Sequence, residues 1–135
     1  MILKQMILAD LRVKEAKVYF MGVTFKENCP DIRNTKVKKI IRFLQDYQIS
    51  IEICDPWADP DEVEKSFGMK LIPMQEVKEA DCLVFAVPHR EFAALGKEEL
   101  RSFYRKNIQK PLLMDIRNMF DVEEKQKEGY WYWSL

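Results

Sequence analysis

Glycine-rich phosphate loops are missing from this sequence. Its 135 residues include only four glycines, and neither Gly-x-Gly-x-x-Gly nor Gly-x-x-x-x-Gly-Lys-Ser/Thr occurs among them. Both patterns hold phosphate in a cradle of backbone N–H groups at the start of a helix. Without that cradle, an anion would have to be held mainly by side chains, and the arginines and lysines become the candidates.

An excess of charge of one sign is missing as well. Lysine plus arginine and aspartate plus glutamate number 22 each, so the formal net charge is zero. Proteins that bind nucleic acids or membrane surfaces usually carry a basic excess, and we therefore expect neither partner. No apolar run in the sequence is long enough to span a membrane.

The sequence is also poor in histidine and cysteine. It has one histidine and three cysteines, and the spacing of Cys29, Cys54 and Cys82 matches no zinc pattern. We therefore predict no metal site. An odd number of cysteines, two of them in apolar segments, is typical of a reducing cytosol, so we predict a cytoplasmic protein.

The composition that is present fits one α/β domain. Hydrophobic content is 47% and charged content 33%, which is ordinary for a globular domain of this length. Apolar strand-like runs alternate with helical periodicity, which predicts a Rossmann-like, open, mostly parallel sheet of about six strands with helices on both faces. The predicted strands are residues 18–23, 50–54, 69–72, 81–87, 111–116 and 130–133, and the predicted helices are 34–48, 61–67, 74–80, 97–107 and 119–128.

Residues 22–33 form the loop that follows the first predicted strand. Ligands of open α/β sheets bind outside the carboxyl ends of the strands, so this loop lies where a site is expected. It carries two cations, Lys26 and Arg33, with Pro30 between them to stiffen the backbone. On chemistry alone, two solvated cations in a surface loop remain an alternative to an anion site.

The first and fourth predicted strands are expected to lie side by side, so that the loops after strands one, four and five converge. Lys26, His89 and Arg117 would then face one crevice, with Arg33 at its lip. A lone loop histidine is usually a surface residue, and a ligand contact by His89 is the alternative. Asp55 ends the second strand, where an acidic residue can bind a ribose, but without the glycine pattern we interpret it as a turn former.

The helix predicted over residues 34–48 has an apolar face and a basic face. Asn34 or Thr35 can cap it. Its apolar positions follow helical spacing, at Val37, Ile40, Ile41 and Leu44. Its cations are Lys36, Lys38, Lys39 and Arg42, which we interpret as a solvated face.

One spaced pattern resembles a known family. Gly22, Phe25, Lys26, Asp31 and Arg33 give Gly-x-x-Phe-Lys-x-x-x-x-Asp-x-Arg, which is similar to the signature that opens the C-terminal domain of the UDP-glucose/GDP-mannose dehydrogenase family. Further elements extend the resemblance in order from Lys17 onward: Asp55-Pro56, Ala80-Asp81 and Asp115-Ile116-Arg117-Asn118.

The resemblance implies a function. Enzymes of this family oxidise C6 of a nucleotide sugar to a carboxylate with two NAD⁺ per sugar. Their N-terminal domain binds NAD, a central helical region forms a homodimer, and the C-terminal domain closes over the nucleotide sugar. By position, Phe25 and Lys26 would contact the UDP-sugar, Arg117 would reach it from the neighbouring subunit, and Arg33 would face the NAD pyrophosphate.

The family's catalytic residues are not expected in this chain. Its cysteine nucleophile lies in a Gly-Gly-x-Cys motif that this sequence does not contain, and its lysine and carboxylate belong to the same preceding region. We therefore expect residues 17–135 to be the UDP-binding C-terminal domain of such an enzyme, inactive alone and joined to the rest of the parent protein. The form Phe-Lys-Glu-Asn-Cys-Pro-Asp-Ile-Arg-Asn looks most like enzymes acting on UDP-N-acetylhexosamines for bacterial surface polysaccharides such as capsule. A stand-alone nucleotide-sensing or protein-interaction module is the alternative.

Residues 1–16 are predicted to form a leading helix, because Leu3, Met6, Ile7 and Leu11 recur near helical spacing. Two interpretations stay open. The helix is a remnant of the connection to a preceding domain, with its apolar face partly bare, or it packs on the sheet of its own domain.

Overall fold

Five parallel strands form the central sheet in the computed structural model, which describes residues 2–9 and 11–134. The strands are β1 (Lys17–Met21), β2 (Ser50–Cys54), β3 (Cys82–Phe85), β4 (Leu112–Asp115) and β5 (Trp131–Ser134), in the spatial order β2-β1-β3-β4-β5. The predicted segments 1–16 and 17–135 also include three residues that lie outside the described part of the chain: Met1, Asp10 and Leu135. The expected neighbours, the strands at 18–23 and 81–87, do pair, as β1 with β3.

Helices cover both faces of the sheet, which confirms the predicted fold class. They are α1 (Ile2–Leu8), α2 (Thr35–Gln45), α3 (Pro60–Phe67), α4 (Arg90–Ala93), α5 (Lys97–Ser102) and α6 (Val122–Lys127). Residues of α1, α2 and α3 join one hydrophobic cluster, and residues of α4 and α5 join a second cluster on the other face. Every residue of β3 and β4 is buried, because a central parallel strand is covered on both sides.

The sheet has five strands rather than about six. The predicted strand at 69–72 contributes one isolated bridge, between Leu71 and Ile53 at the outer edge of β2. Its residues are partly exposed, and Pro73, which follows, has no N–H to continue a ladder. The helix predicted at 74–80 is a 3₁₀ turn over Met74–Glu76.

Two further predicted helices are shorter than expected. The helix predicted at 97–107 ends at Ser102, where Phe103 turns its carbonyl to the backbone N–H of Ala80 at 3.0 Å. The helix predicted at 119–128 begins only at Val122. In both cases the chain forms tertiary contacts beside the strands, and these contacts override local helix propensity.

Capping residues set the ends of the long helices. Asn34 caps α2, as one of the two predicted residues, since its Oδ1 accepts a hydrogen bond from Val37 N at 3.3 Å. Asp59 caps α3, and Pro60 is its first residue. Gly68 ends α3 in the left-handed conformation, with φ of 68°.

The leading helix packs on the sheet of its own domain. Ile2 and Met6 are buried in the first hydrophobic cluster, and Trp131 Nε1 donates to Gln5 Oε1 at 3.0 Å. Two apolar side chains of α1 remain exposed, Ile7 and Leu8. The structure thus shows α1 packed on the sheet of its own domain with part of its apolar surface exposed, and the connection to a preceding domain stays a prediction. Within residues 2–9 and 11–134, no helix has the length and apolarity needed to cross a bilayer.

Candidate functional site

A groove of about 750 Å³ runs between α1 and α2 and reaches the carboxyl ends of β1, β3 and β4. Apolar side chains form its body. The sheet contributes Phe20 and Val84, and the segments after β3 and β4 contribute Ala86 and Ile116. The groove therefore lies where ligands of open α/β sheets bind, and its apolar body suits a base or a sugar ring.

Positive charge surrounds this apolar body. Four cationic side chains line the groove, Arg33, Lys36, Lys39 and Arg117, and no carboxylate of the described residues lines it. Lys36 and Lys39 are exposed, as the predicted solvated face of this helix requires, and they also line the groove. The structure places them beside the groove because α2 begins directly after the 22–33 loop. A ligand with an anionic part and an apolar or aromatic part fits this combination.

Gly22 starts the loop after β1 because no other residue fits there. Its φ is 103°, and an added β-carbon would lie 2.7 Å from Val87 Cβ and 2.9 Å from Val87 N. Gly22 N also donates to Cys54 O at 2.8 Å. The loop thus leaves the sheet through a crowded point between β2 and the chain beyond β3.

Hydrogen bonds close the loop into a compact turn. Phe25 N donates to Asp31 O at 2.6 Å, and Thr24 Oγ1 donates to Lys26 O at 3.0 Å. Asn34, the cap of α2, donates from Nδ2 to Thr24 O at 2.8 Å. The turn leaves Phe25, which is 61% exposed, and Lys26 facing outward.

Arg33 and Asp31 form a bidentate ion pair. Arg33 Nε lies 3.0 Å from Asp31 Oδ1, and Nη2 lies 2.7 Å from Oδ2. The Arg33 hydrogen bond lowers the pKa of Asp31 to about 2. The Arg33 side chain is nevertheless 87% exposed. The carboxylate therefore holds one edge of the guanidinium and leaves an oriented cation at the groove.

Arg117 meets the first loop within the same chain. It lines the groove, and its Nη2 lies 3.4 Å from Glu27 Oε2. The turn that carries Arg117 is fixed by buried Asp115, which accepts hydrogen bonds from Met119 N at 3.0 Å and Phe120 N at 2.9 Å. The loops after β1 and β4 thus converge as predicted.

Three of the five predicted site residues share the groove: Phe25, Arg33 and Arg117. Lys26 is exposed on the same loop but does not line the groove. His89 is fully buried, so it does not face the crevice and is not the surface residue that a lone loop histidine suggests. Both of its ring nitrogens contact protein atoms below the first loop.

Asp55 is the turn former that the sequence indicated. Its Oδ1 accepts hydrogen bonds from Trp57 N at 2.8 Å and Ala58 N at 3.0 Å. This arrangement shapes the turn after β2.

Sequence reasoning missed the second role of Asp55, which is to hold the first loop. Its Oδ2 accepts from Val23 N at 2.8 Å and Thr24 N at 3.2 Å, and lies 3.0 Å from His89 Nε2. Burial alone would raise the pKa of Asp55, but hydrogen bonds from His89 and Val23 outweigh it and the pKa is lowered. The available signal was an aspartate at the end of a strand next to β1, where a carboxylate can reach the neighbouring loop.

Comparison with known proteins decides the family. A model described as the UDP-glucose/GDP-mannose dehydrogenase family, UDP binding domain, matches residues 19–122. The chain belongs to this family. The match covers the loop after β1, the turn at Asp55 and the segment that carries Arg117, and it confirms the resemblance stated from those motifs.

Curated relatives of the family extend the match over most of the chain. UDP-N-acetyl-D-glucosamine 6-dehydrogenase of Salmonella typhi and Protein CapL of Staphylococcus aureus are each 37% identical over 125 residues, which is 91% of this chain. UDP-N-acetyl-D-glucosamine 6-dehydrogenase of Pseudomonas aeruginosa is 33% identical over 123 residues. The chain spans about 28% of the length of these relatives.

Solved structures of similar fold include other dehydrogenases. The NDP-N-acetyl-D-galactosaminuronic acid dehydrogenase of Methanosarcina mazei Go1 matches 98% of this chain with a TM-score of 0.84 and 19% identity, over 27% of its own chain. The UDP-D-ManNAc dehydrogenase of Pyrococcus horikoshii matches with a TM-score of 0.71 and 20% identity, over 28% of its own chain. At this identity the likeness concerns the fold.

Among residues 2–9 and 11–134, no group of three or more His, Cys, Asp or Glu side chains could hold a metal ion.

Proposed function

We propose that this chain is the UDP-sugar-binding part of an NAD-dependent nucleotide-sugar 6-dehydrogenase that acts on a UDP-N-acetylhexosamine for bacterial surface polysaccharide synthesis. The observation that carries the proposal is the apolar groove with a basic rim at the strand ends, lined by Phe25, Arg33 and Arg117. Two of the relatives named above are UDP-N-acetyl-D-glucosamine 6-dehydrogenases, and this favours the N-acetylhexosamine substrate.

The nucleotide sugar would lie along the groove. The exposed ring of Phe25 offers an apolar contact for uracil or the sugar. Arg117 and Lys26 supply cations for the diphosphate, at the end of β4 and on the first loop. A charge-assisted contact of this kind contributes about 1.5–3 kcal/mol, so a groove that uses only these residues should bind in the millimolar range.

The residues of this chain also fit one part of NAD. Arg33 presents a planar guanidinium, oriented by Asp31 and largely exposed, which suits a pyrophosphate. NAD would accept the hydrides removed as the C6 alcohol is oxidised to a carboxylate. Arg33 would orient the cofactor at the edge of the groove, and most of its contacts would come from a dinucleotide-binding domain outside this sequence.

The role of this chain in the reaction would be binding and orientation. Holding the nucleotide part of the substrate fixes the sugar relative to reacting groups elsewhere in the enzyme, and such positioning lowers the entropic cost of reaction. No residue of this chain is proposed as a catalytic residue. The partners proposed are the rest of the parent enzyme and a second subunit of a homodimer, in the cytoplasm.

A second candidate function, a non-catalytic nucleotide-sensing or protein-interaction module, is favoured by one surface. Ile40, Phe43 and Tyr47 are exposed on α2 and the turn after it, with the Phe43 and Tyr47 rings 5.3 Å apart, and Ile40 and Phe43 also line the groove. Exposed apolar clusters mark protein contacts. In a dehydrogenase the rest of the parent enzyme would cover them. A coding sequence with a dinucleotide-binding motif and Gly-Gly-x-Cys ahead of this domain would favour the dehydrogenase.

An NMR titration with UDP-N-acetylglucosamine tests the proposal. We expect amide shifts at residues 24–33 and at Arg117, with millimolar affinity, and much smaller shifts with free N-acetylglucosamine. Shifts confined to β5, or equal shifts with both ligands, would contradict the proposed placement. In a parallel assay, the chain with NAD⁺ and the UDP-sugar should form no NADH, and turnover that survives repurification would contradict the binding-only role.

A further inference from the structure

His89 lies beneath the first loop, at a place that the proposed ligand contacts do not explain. It follows β3, immediately precedes α4 and is fully buried. Its Nδ1 accepts a hydrogen bond from Asn28 N at 3.0 Å. Its Nε2 lies 3.0 Å from Asp55 Oδ2 and 3.1 Å from Thr24 Oγ1. The ring therefore joins the loop after β1 to the carboxylate that ends β2.

These contacts define the tautomer of His89. A nitrogen that accepts the N–H of Asn28 carries no proton, so the proton of the neutral ring is on Nε2. Nε2–H can then donate to Asp55, which acts as an acceptor, while the Thr24 hydroxyl donates to Lys26 O at 3.0 Å. Only the neutral ring with its proton on Nε2 can both accept from Asn28 N and donate to Asp55 Oδ2.

Asn28 ties the loop to α4 a second time. It has a φ of 55°, a conformation that asparagine adopts more readily than most residues. Its side-chain Oδ1 accepts from Arg90 N at 2.9 Å, so it caps the start of α4 while its own N–H donates to His89. The backbone is therefore anchored at Thr24 and Asn28, on either side of the exposed segment 25–27.

We propose that His89 is a positioning residue whose Nδ1 holds segment 25–27 in the conformation that presents Phe25 and Lys26 to the ligand. The identity of that ligand rests on the proposed function, whereas the loop geometry does not. A buried acceptor at this point replaces water as the partner of Asn28 N–H and orders the loop before the ligand binds. Preorganised contacts of this kind increase affinity because the ordering cost is already met.

Two substitutions separate the two nitrogens of the ring. In His89→Asn, the amide oxygen can occupy the position of Nδ1 and still accept from Asn28 N, while the contact to Asp55 is lost. In His89→Gln, the longer side chain can place its NH₂ near the position of Nε2 and still donate to Asp55, while the acceptor for Asn28 is lost. Asparagine also leaves the larger cavity, so it should be the less stable variant.

The two possible roles of His89 therefore predict opposite rankings of the two variants. If His89 positions the loop, His89→Gln is the more impaired in loop order and affinity. If His89 only stabilises the fold, His89→Asn is the more impaired. Hydrogen exchange of the Asn28 amide should be about tenfold faster in His89→Gln than in the wild-type chain and within about threefold of wild type in His89→Asn, since one hydrogen bond is worth about tenfold. The dissociation constant for UDP-N-acetylglucosamine should follow the same order. The melting temperature should instead be lower in His89→Asn than in His89→Gln, because asparagine leaves the larger cavity.

The experiment measures all three quantities on the same three proteins. If loop exchange and affinity both follow the melting temperature, with His89→Asn the worse, His89 is only a structural residue and the proposal is wrong. If Asn28 exchange rises in His89→Gln but the affinity is unchanged, the loop contact is real and the positioning role is wrong. If the wild-type chain binds no UDP-sugar, the proposed function fails, and the exchange rates still decide whether His89 Nδ1 orders the loop.

Discussion

Gly22 and Val87 approach so closely that a β-carbon on Gly22 would lie 2.7 Å from Val87 Cβ. The contact occurs where the chain leaves β1 beside the segment after β3, and backbone as well as side chain is involved. Gly22→Ala combines a positive φ with overpacking. We expect it to lower the free energy of unfolding by about 2–5 kcal/mol, measured by urea denaturation.

Gly129 provides a matched control for this prediction. Its φ is 98°, close to the 103° of Gly22, but nothing lies within 4 Å of an added β-carbon. Gly129→Ala should therefore cost only the backbone strain, about 1–2 kcal/mol. Equal losses in the two variants would show that the Val87 contact relaxes at little cost and that φ alone selects glycine at residue 22.

Much of the fold could be predicted because its signals are local. The apolar runs at β1, β3 and β4 are buried on both faces, and such runs stand out in sequence. The segment at 69–72 has the same local character, yet it forms a single bridge because its place is at the open edge of β2. Whether a short apolar run pairs fully depends on neighbours that the sequence does not place.

The candidate site was only partly predictable. Phe25, Arg33 and Arg117 could be assigned to one region because loops at the carboxyl ends of parallel strands converge. The direction of each side chain could not be assigned. His89 points inward because Asp55 and the Asn28 N–H offer partners there, and both partners are distant in sequence. The cations of α2 reach the groove through the direction of the helix, which is set by tertiary packing.

The second prediction compares two neighbouring tyrosines, Tyr130 and Tyr104, whose ring centroids are 5.5 Å apart. The Tyr130 hydroxyl is buried and has no hydrogen-bond partner among the described residues, whereas the Tyr104 hydroxyl donates to Leu112 O at 2.6 Å. Tyr130→Phe should leave the free energy of unfolding unchanged or raise it by about 1 kcal/mol, and Tyr104→Phe should lower it by about 1 kcal/mol. Thermal denaturation of both variants at pH 7 measures the difference.

Alkaline pH supplies a third test, on the same residue. Burial raises the pKa of Tyr130 from 10 to about 12. The folded state therefore favours the protonated hydroxyl, and this contribution to stability is complete below pH 10 and is lost as the pH rises from 10 to 12. Tyr130→Phe should lose less stability over that range than the wild-type chain. Parallel stability curves for the two proteins would contradict the raised pKa.

Arg117 leads to a fourth prediction, about which subunit supplies it. The family resemblance implies a contact from the neighbouring subunit, but Arg117 lines the groove of its own chain beside Glu27. We therefore expect Arg117→Ala to weaken binding of UDP-N-acetylglucosamine about tenfold or more in a monomeric preparation of this chain, because a charge-assisted contact is lost. NMR titration gives the affinities, and sedimentation confirms the monomer.

Arg12 is the control for this substitution. Its side chain is exposed and pairs with Glu15, at i,i+3, at 3.7 Å. Arg12→Ala removes the same net charge from the segment before β1, and binding should change by less than about twofold, because separated surface charges are screened by salt. If Arg117→Ala also leaves binding unchanged in a verified monomer, the contact is not made within one chain.

The last prediction separates Arg33 from Lys26, two cations on one loop. Arg33 is held by Asp31 in a bidentate pair, whereas Lys26 is exposed next to Phe25, whose ring lines the groove. In the full-length protein, Arg33→Ala should weaken NAD binding by about 1–3 kcal/mol, which is roughly ten- to a hundredfold, and leave UDP-sugar binding nearly unchanged. Lys26→Ala should do the reverse. Binding titrations of each ligand with each variant provide the four affinities.

Stability measurements distinguish this ligand role from a structural one. The Arg33 side chain is 87% exposed, and its pair with Asp31 spans only two residues of surface loop. Such exposed pairs are screened by solvent and add little to stability, so Arg33→Ala should leave the melting temperature almost unchanged. Lys106→Ala, at an exposed position in the segment before β4 and so near the amino ends of the strands, should change neither affinity. A sharp fall in melting temperature with intact NAD affinity would mean that the Asp31–Arg33 pair serves the loop and that Arg33 does not contact the cofactor.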